Sequence, residues 1–440
     1  MERYYSETLC KGIRLLYFQA DPSKFPEGIR LLEKAVENEE AHAFYFLARC
    51  YGWGDGNMKD DERKAKKLSK RGIELGSDLC VLGAERMDIL KGDLKNAMNG
   101  TLEESFKNVL SMAEDGEPMA QYAIGLFYFW GDMLLNFQKP SKADFAKYEK
   151  ENAAEALKWF RRSAEKGCIP SFRNAFNSVR NGVNGVPKNL EEALRWAETV
   201  SGKVDMRDYY HSIILEYQSL KRHNDAIRWC EKGVRDGDPI CAVDLGLVYL
   251  YGDRGAQKDE AKALELFNRA AGTGNEYGYY NAGRCYYNGS GCAKDYNEAF
   301  RCFDQAYQHG HKVAKWYLAQ CYFWGRGTET NYDMAVRMMN GLIREQQEYP
   351  KDLMGYCCLY GKGMTADMVR GKRLLEEAAK ENYHQAWLFL GDMYDQGIGV
   401  PEDISKAVSC YQKAADKNIQ GASEALERYK KTLFGKWKRR

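Results

Sequence analysis

Apolar and small residues recur along this chain with two superposed periods. Inside a segment such as Ala386–Gly397 the period is helical. At 100° per residue Ala386, Leu390, Met393, Tyr394 and Gly397 share one narrow arc, and Leu388, Asp392 and Asp395 lie opposite. Between segments the period is about 36 residues: Gly289, Gly325, Gly361 and Gly397 are spaced by 36, and Gly252 lies 37 before the first. Each glycine closes a similar stretch: GLVYLYGDRG, GRCYYNGSG, AQCYFWGRG, GYCCLYGKG and GDMYDQGIG, with earlier copies ARCYGWGDG and GLFYFWGD. A polar residue then opens a second amphipathic run, as in DYNEAFRCFDQAYQHG or EDISKAVSCYQKAADKN. Asp61, Asn189, Asp259, Asp295, Asn331 and Asp403 each stand four residues before an alanine, where a side-chain oxygen can cap the first turn. The predicted unit is an antiparallel helix pair, reversed at a glycine that tolerates φ > 0, which buries its apolar face against neighbouring units.

The unit resembles the SEL-one-like repeat (SLR) family, relatives of the tetratricopeptide repeat. The last copy matches that pattern at Ala386, Leu390, Gly391, Tyr394, Gly397, Gly399, Val400, Asp403, Lys406, Ala407, Tyr411, Lys413, Ala414 and Ala415. The resemblance implies an all-α fold: a right-handed α-α superhelical solenoid of about ten SLR/TPR-like antiparallel helix pairs, with capping helices. It covers roughly residues 27–418. Residues 77–116 and 204–237 keep the pair length but lose the glycine turn, and 132–150 read as an insertion between two helices. Residues 1–26 read as a capping helix and turn. Residues 419–440 read as a capping helix, expected over 419–437, with a basic tail.

Charge narrows the function classes. Across 440 residues, 65 Lys and Arg balance 63 Asp and Glu, a net +2, which argues against coating nucleic acid or an anionic membrane. The 44% hydrophobic content supplies a core, and 9 prolines against 41 glycines favour helices with glycine turns. The N-terminal stretch has no secretory pattern, and the most apolar run, Gly125–Leu135, is short and holds Asp132. The expectation is a cytoplasmic chain without a membrane partner. Thirteen cysteines include no C-x-x-C pair, and Cys285, Cys321 and Cys357 recur at 36 residues, so they read as core positions.

Catalytic motifs are missing from the sequence: H-E-x-x-H, the phosphate loop and G-x-S-x-G do not occur. His309 and His311 read as turn residues rather than metal ligands. GWGDG and GRG occupy the repeated turn rather than cradle phosphate. No catalytic residue, metal or cofactor is assigned, and no small-molecule substrate is implied. The tail KKTLFGKWKRR could touch RNA or simply be solvated.

The resemblance implies that the first helix of each pair lines a concave face. Two columns on those helices are rich in aromatics. One runs through Tyr45 and Arg49; Tyr122 and Phe129; Tyr280, Arg284 and Tyr287; Trp316, Gln320 and Phe323; and Asp352 and Tyr356. It is assigned to partner contact, because aromatic and Arg side chains anchor interfaces. The other stands just before the turn glycines (Trp53, Trp130, Tyr251, Trp324, Tyr360), broken by Asn288 and Gln396, and is assigned mainly to packing between repeats. Trp130 and Trp324 are kept among the candidate contacts. The leading function is a non-catalytic scaffold or adaptor that binds a protein or peptide on its concave face, regulating or assembling complexes. The alternatives are an RNA or single-strand binder using the aromatic face and basic tail, and a hydrolase with an unrecognised groove site. The 132–150 insertion is expected to aid binding without being needed for folding.

Overall fold

The capping residues begin helices where the spacing places them. Asp61, Asn189, Asp259, Asp295, Asn331 and Asp403 each accept a backbone N–H from the first turn of the helix that follows. Asp367 does the same. The alanine criterion passed it over because Gly371 stands four residues on.

The computed structural model describes residues 1–19, 21–84, 99–130, 141, 144–183, 185–253, 255–345, 350–431 and 437–440. The chain forms two units, Met1–Leu220 and Lys221–Arg440. The first contains α1 (Glu7–Tyr17), α2 (Phe25–Glu37), α3 (Ala43–Trp53), α4 (Glu62–Glu74), α5 (Asp78–Ala84), α6 (Asn99–Glu114), α7 (Pro118–Phe129), α8 (Phe145–Ala164), α9 (Ile169–Asn181), α10 (Leu190–Val200) and α11 (Tyr210–Ser219). The second contains α12 (His223–Arg235), α13 (Pro239–Tyr251), α14 (Glu260–Ala271), α15 (Glu276–Asn288), α16 (Tyr296–Gln308), α17 (Ala314–Trp324), α18 (Tyr332–Arg344), α19 (Lys351–Tyr360), α20 (Met368–Lys380), α21 (Gln385–Gln396), α22 (Ile404–Ala415) and α23 (Ala422–Glu427). Consecutive helices pack on one another from α1 to α10 and again from α12 to α22. The fold is an all-α repeat solenoid. No helix among the described residues is long and apolar enough to cross a membrane.

Glycine sets two spacings in each pair. Inside the first helix, Gly125, Gly246, Gly283 and Gly391 lie flat against Phe160, Phe267, Phe303 and Tyr411 of the second helix, where an added Cβ would overlap the ring. At the turn, the second glycine of G-x-G has positive φ and lies on the preceding repeat: Gly327 abuts the Tyr296 carbonyl and Gly363 the Tyr332 carbonyl. The cores are built of alanines, aromatics and cysteines. All thirteen cysteines are free thiols, and every one except Cys292 is buried.

Much of 132–150 lies outside the described residues, and its end, from Phe145, is the opening of α8. The C-terminal helix expected over 419–437 is a correction: α23 stops at Glu427, and β1 (Tyr429–Lys431) pairs antiparallel with β2 (Trp437–Arg439), Tyr429 opposite Arg439. In β1 Tyr429 is buried, whereas Lys430 and Lys431 are exposed. The hairpin lies where a further first helix would otherwise pack: Arg439 Nη2 sits 2.7 Å from Asp395 Oδ1, and Tyr429 and Trp437 join Leu388 and Tyr411 in one apolar cluster.

Candidate functional site

The repeat places Tyr280, Trp316, Asp352 and Leu388 in one column, and Arg284, Gln320, Tyr356 and Asp392 in the next. The structure turns Tyr280 and Tyr356 of these columns toward the first helix of the following pair rather than toward an open face. Tyr280 stacks on His311 at 4.1 Å and meets Tyr317 at 5.7 Å. Tyr287 meets Tyr317 at 6.0 Å. Buried Phe323 meets Tyr356 at 5.3 Å, and Tyr356 meets Phe389 at 4.7 Å. In the last copy, Leu388, Asp392 and Asp395 are covered by the C-terminal hairpin and Arg428.

The same column is closed in the first unit. Tyr45, Arg49 and Tyr122 are buried. Arg49 Nε donates to Asp55 Oδ2 at 2.9 Å, and its Nη2 donates to the Tyr122 hydroxyl at 3.2 Å. The Tyr17 hydroxyl donates to the same Asp55 oxygen at 2.8 Å. The Tyr45, Trp53 and Tyr122 rings lie 5.9, 5.1 and 5.2 Å from the guanidinium carbon. Phe129 packs on Trp130 and Phe160. Tyr45, Arg49, Tyr122 and Phe323 are thus core groups, a correction to their assignment as partner contacts. A first helix packs on its own second helix and on both neighbouring pairs, so the side opposite its apolar arc is not open to solvent.

The column before the glycines is exposed at most of its positions, although Tyr360 is half-buried against Tyr356. Trp130 is 57% exposed, Tyr251 58% and Trp324 37%. Eleven residues earlier, three helical turns and so on the same side, stand Ile240, Tyr277 and Val313, all exposed as well. The sequence reading missed these three. Their 11-residue offset from Tyr251, Asn288 and Trp324 was the available signal.

In the second unit this exposed side carries two guanidinium groups. Arg284 Nη2 donates to the Tyr251 hydroxyl at 3.2 Å and Nη1 to Asn281 Oδ1 at 3.3 Å, while its Nε has no acceptor. Its carbon lies 5.7 Å from the Tyr280 ring. Burial opposes the Arg284 charge, but the Tyr251 hydrogen bond and nearby phenols hold its pKa above the ordinary value. Burial likewise pushes the Tyr280 phenol up to about 12, so it stays neutral. Arg326, in the G-R-G turn, donates to the Tyr287 hydroxyl and lies 5.3 Å from the Tyr287 ring and 5.7 Å from Trp324. Gln320, Trp316 and Tyr356 are half-buried beside these groups. Among the described residues, no group of three or more His, Cys, Asp or Glu side chains is placed to hold a metal. The arrangement offers exposed rings and charged hydrogen-bond donors, the composition of an interface anchor.

Comparison with known proteins gives one family. The profile described as Sel1 repeat matches residues 41–77, 118–140, 147–168, 179–199, 239–275, 277–311, 312–340, 353–383 and 385–419. It passes over 78–117 and 200–238, close to the copies that lack the glycine turn. Among solved structures, a Sel1 repeat protein from Oxalobacter formigenes is similar at 21% identity and a TM-score of 0.46, covering 80% of this chain and 93% of that one. The protective antigen c5321 of uropathogenic Escherichia coli, described as displaying an SLR fold, is similar at 20% identity and a TM-score of 0.45, covering 91% and 89%. The immunity protein Pa5087 of Pseudomonas aeruginosa is similar at 16% identity and a TM-score of 0.25, covering 47% and 83%. No curated protein matches the sequence.

Proposed function

This chain belongs to the Sel1 repeat family, and we propose that it is a non-catalytic scaffold that binds a protein or peptide partner on the first-helix side of its second unit. Sel1 repeat proteins are generally protein-interaction scaffolds. The observation that carries the reading is the column of exposed apolar and aromatic side chains formed by Ile240, Tyr251, Tyr277, Val313 and Trp324 along α13, α15 and the start and end of α17. Large rings held in water on a rigid frame gain buried area on association without first losing backbone freedom. The proposed setting is the cytoplasm, with assembly or regulation of a complex as the role.

The test is affinity capture from native lysate at low and high salt, with and without nuclease. The comparison is the double variant Tyr251→Ala, Tyr277→Ala, checked for unchanged helical circular dichroism. The expected result is a protein partner that resists salt and nuclease and is lost with the variant. A nuclease-sensitive catch, or one indifferent to the variant, would overturn the reading.

A further inference from the structure

Resting on that reading, we propose that the partner segment is acidic, its Asp or Glu carboxylates taken by Arg284 and Arg326. The internal repeat supplies the argument. ARCYGWGDG in the first unit and GRCYYNGSG in the second align residue for residue, so Arg284 corresponds to Arg49 and Ser290 to Asp55. In the first copy the chain fills the seat itself: Arg49 Nε donates to the Asp55 carboxylate. In the second copy the acid is Ser290, and the Nε of Arg284 is left without an acceptor. The same position beside the next two turns carries Arg326 and Lys362, so a row that begins acidic becomes basic. Arg284 and Arg326 form no ion pair with a described carboxylate, and they are held by tyrosine hydroxyls and ring faces.

Several cations elsewhere in this unit have carboxylate partners: Lys315 pairs with Glu345, Lys351 with Glu381, and Arg439 with Asp395. What sets Arg284 and Arg326 apart is their place beside the exposed rings of Tyr251 and Trp324. A planar guanidinium already oriented by neighbours loses little further freedom when it takes a carboxylate. The row is too short, and the chain too near neutral, to favour a nucleic-acid backbone.

The test measures binding of a labelled acidic peptide, acetyl-(Glu-Ser-Leu)4-amide, by fluorescence anisotropy. Blocked ends keep a terminal carboxylate out of the result. The controls are acetyl-(Lys-Ser-Leu)4-amide and a twelve-nucleotide oligouridine. The acidic peptide is expected to bind and both controls to fail. Arg284→Gln with Arg326→Gln should weaken it at least tenfold. Ser290→Asp, which rebuilds the Asp55 arrangement, should also weaken it, and as a filled seat it should not lower the melting temperature. Equal affinity in all variants, tighter oligouridine binding, or no binding of the acidic peptide would overturn the proposal. If the captured partner still depended on Tyr251 and Tyr277, each of those results would leave the scaffold reading standing.

Discussion

Asp352 is 7% exposed in the first turn of α19, and its Oδ1 has no hydrogen-bond donor. Burial raises its pKa from 3.8 to about 6, against help from the amides of Leu353 and Asp352 itself. The folded value lies above the unfolded one, so the penalty is absent below about pH 4, grows between pH 4 and 6, and is complete above. Asp352→Asn should therefore raise stability at pH 7.5, by at most about 3 kcal/mol, and the gain should vanish near pH 4. Paired urea titrations at the two pH values decide it, and a gain independent of pH would disprove the assignment. Arg49 is the converse case, a buried charge with its partners in place. Removing it leaves Asp55 without its counter-charge and the Tyr122 hydroxyl without its donor, so Arg49→Met should cost about 3–5 kcal/mol in the same titrations. A loss under 1 kcal/mol would mean the network is ornamental.

Turns and caps act at the level of the element. Gly327 and Gly255 hold the same turn position with φ of 74° and 82°. A methyl on Gly327 would collide with the Tyr296 carbonyl, whereas one on Gly255 meets nothing within 4 Å. Gly255→Ala should cost only the left-handed backbone, about 1 kcal/mol, and Gly327→Ala roughly 2–4 kcal/mol as the repeats are pushed apart. Equal losses, read as melting temperatures of the two variants, would show that close approach does not matter there. The C-terminal hairpin replaces a helix because its task is to cover one side of α21 and α22, and a short ribbon with an arginine for Asp395 does so in few residues. Several landmarks of the repeat have a physical partner. The lysine three residues after the cap, for example, reaches the tyrosine of its own first helix, Lys262 Nζ to the Tyr249 hydroxyl at 2.7 Å.

The whole molecule distributes thirteen thiols so that twelve are buried and Cys292, in the turn after α15, is half-exposed. Burial raises the pKa of most of these thiols, Cys321 and Cys357 to about 12, which suppresses the reactive thiolate. Titration of the native protein with an aromatic disulfide reagent should modify one thiol quickly, with the others reacting only on unfolding. Cys292→Ser should remove the fast phase. Several fast thiols in the native protein would contradict the packing described for both units.

The repeated helix pairs, most of their caps and their glycine turns were legible in the sequence, because each depends on residues within one repeat and is copied many times; the cap Asp367 escaped because glycine stands where the other copies have alanine. Asp259, Ala263 and Gly252 announce their roles by spacing alone. Which side of a first helix meets solvent was not legible in the same way. A helical wheel separates apolar from mixed residues, but Tyr280 and Tyr287 lie on the mixed side and still pack, since the next pair arrives there. Tyr251 and Trp324 look like core aromatics and are exposed. Arg49 and Arg284 hold the same repeat position, and the exchange of Asp55 for Ser290 is visible in the sequence, but that Asp55 reaches Arg49 is seen only in the packed structure. The hairpin was missed for the same reason: its fold is set by the surface of α21 and α22 that it must cover. Contacts within a repeat are written in the chain, whereas contacts between repeats depend on how far each pair turns relative to the last, a quantity that only packing decides.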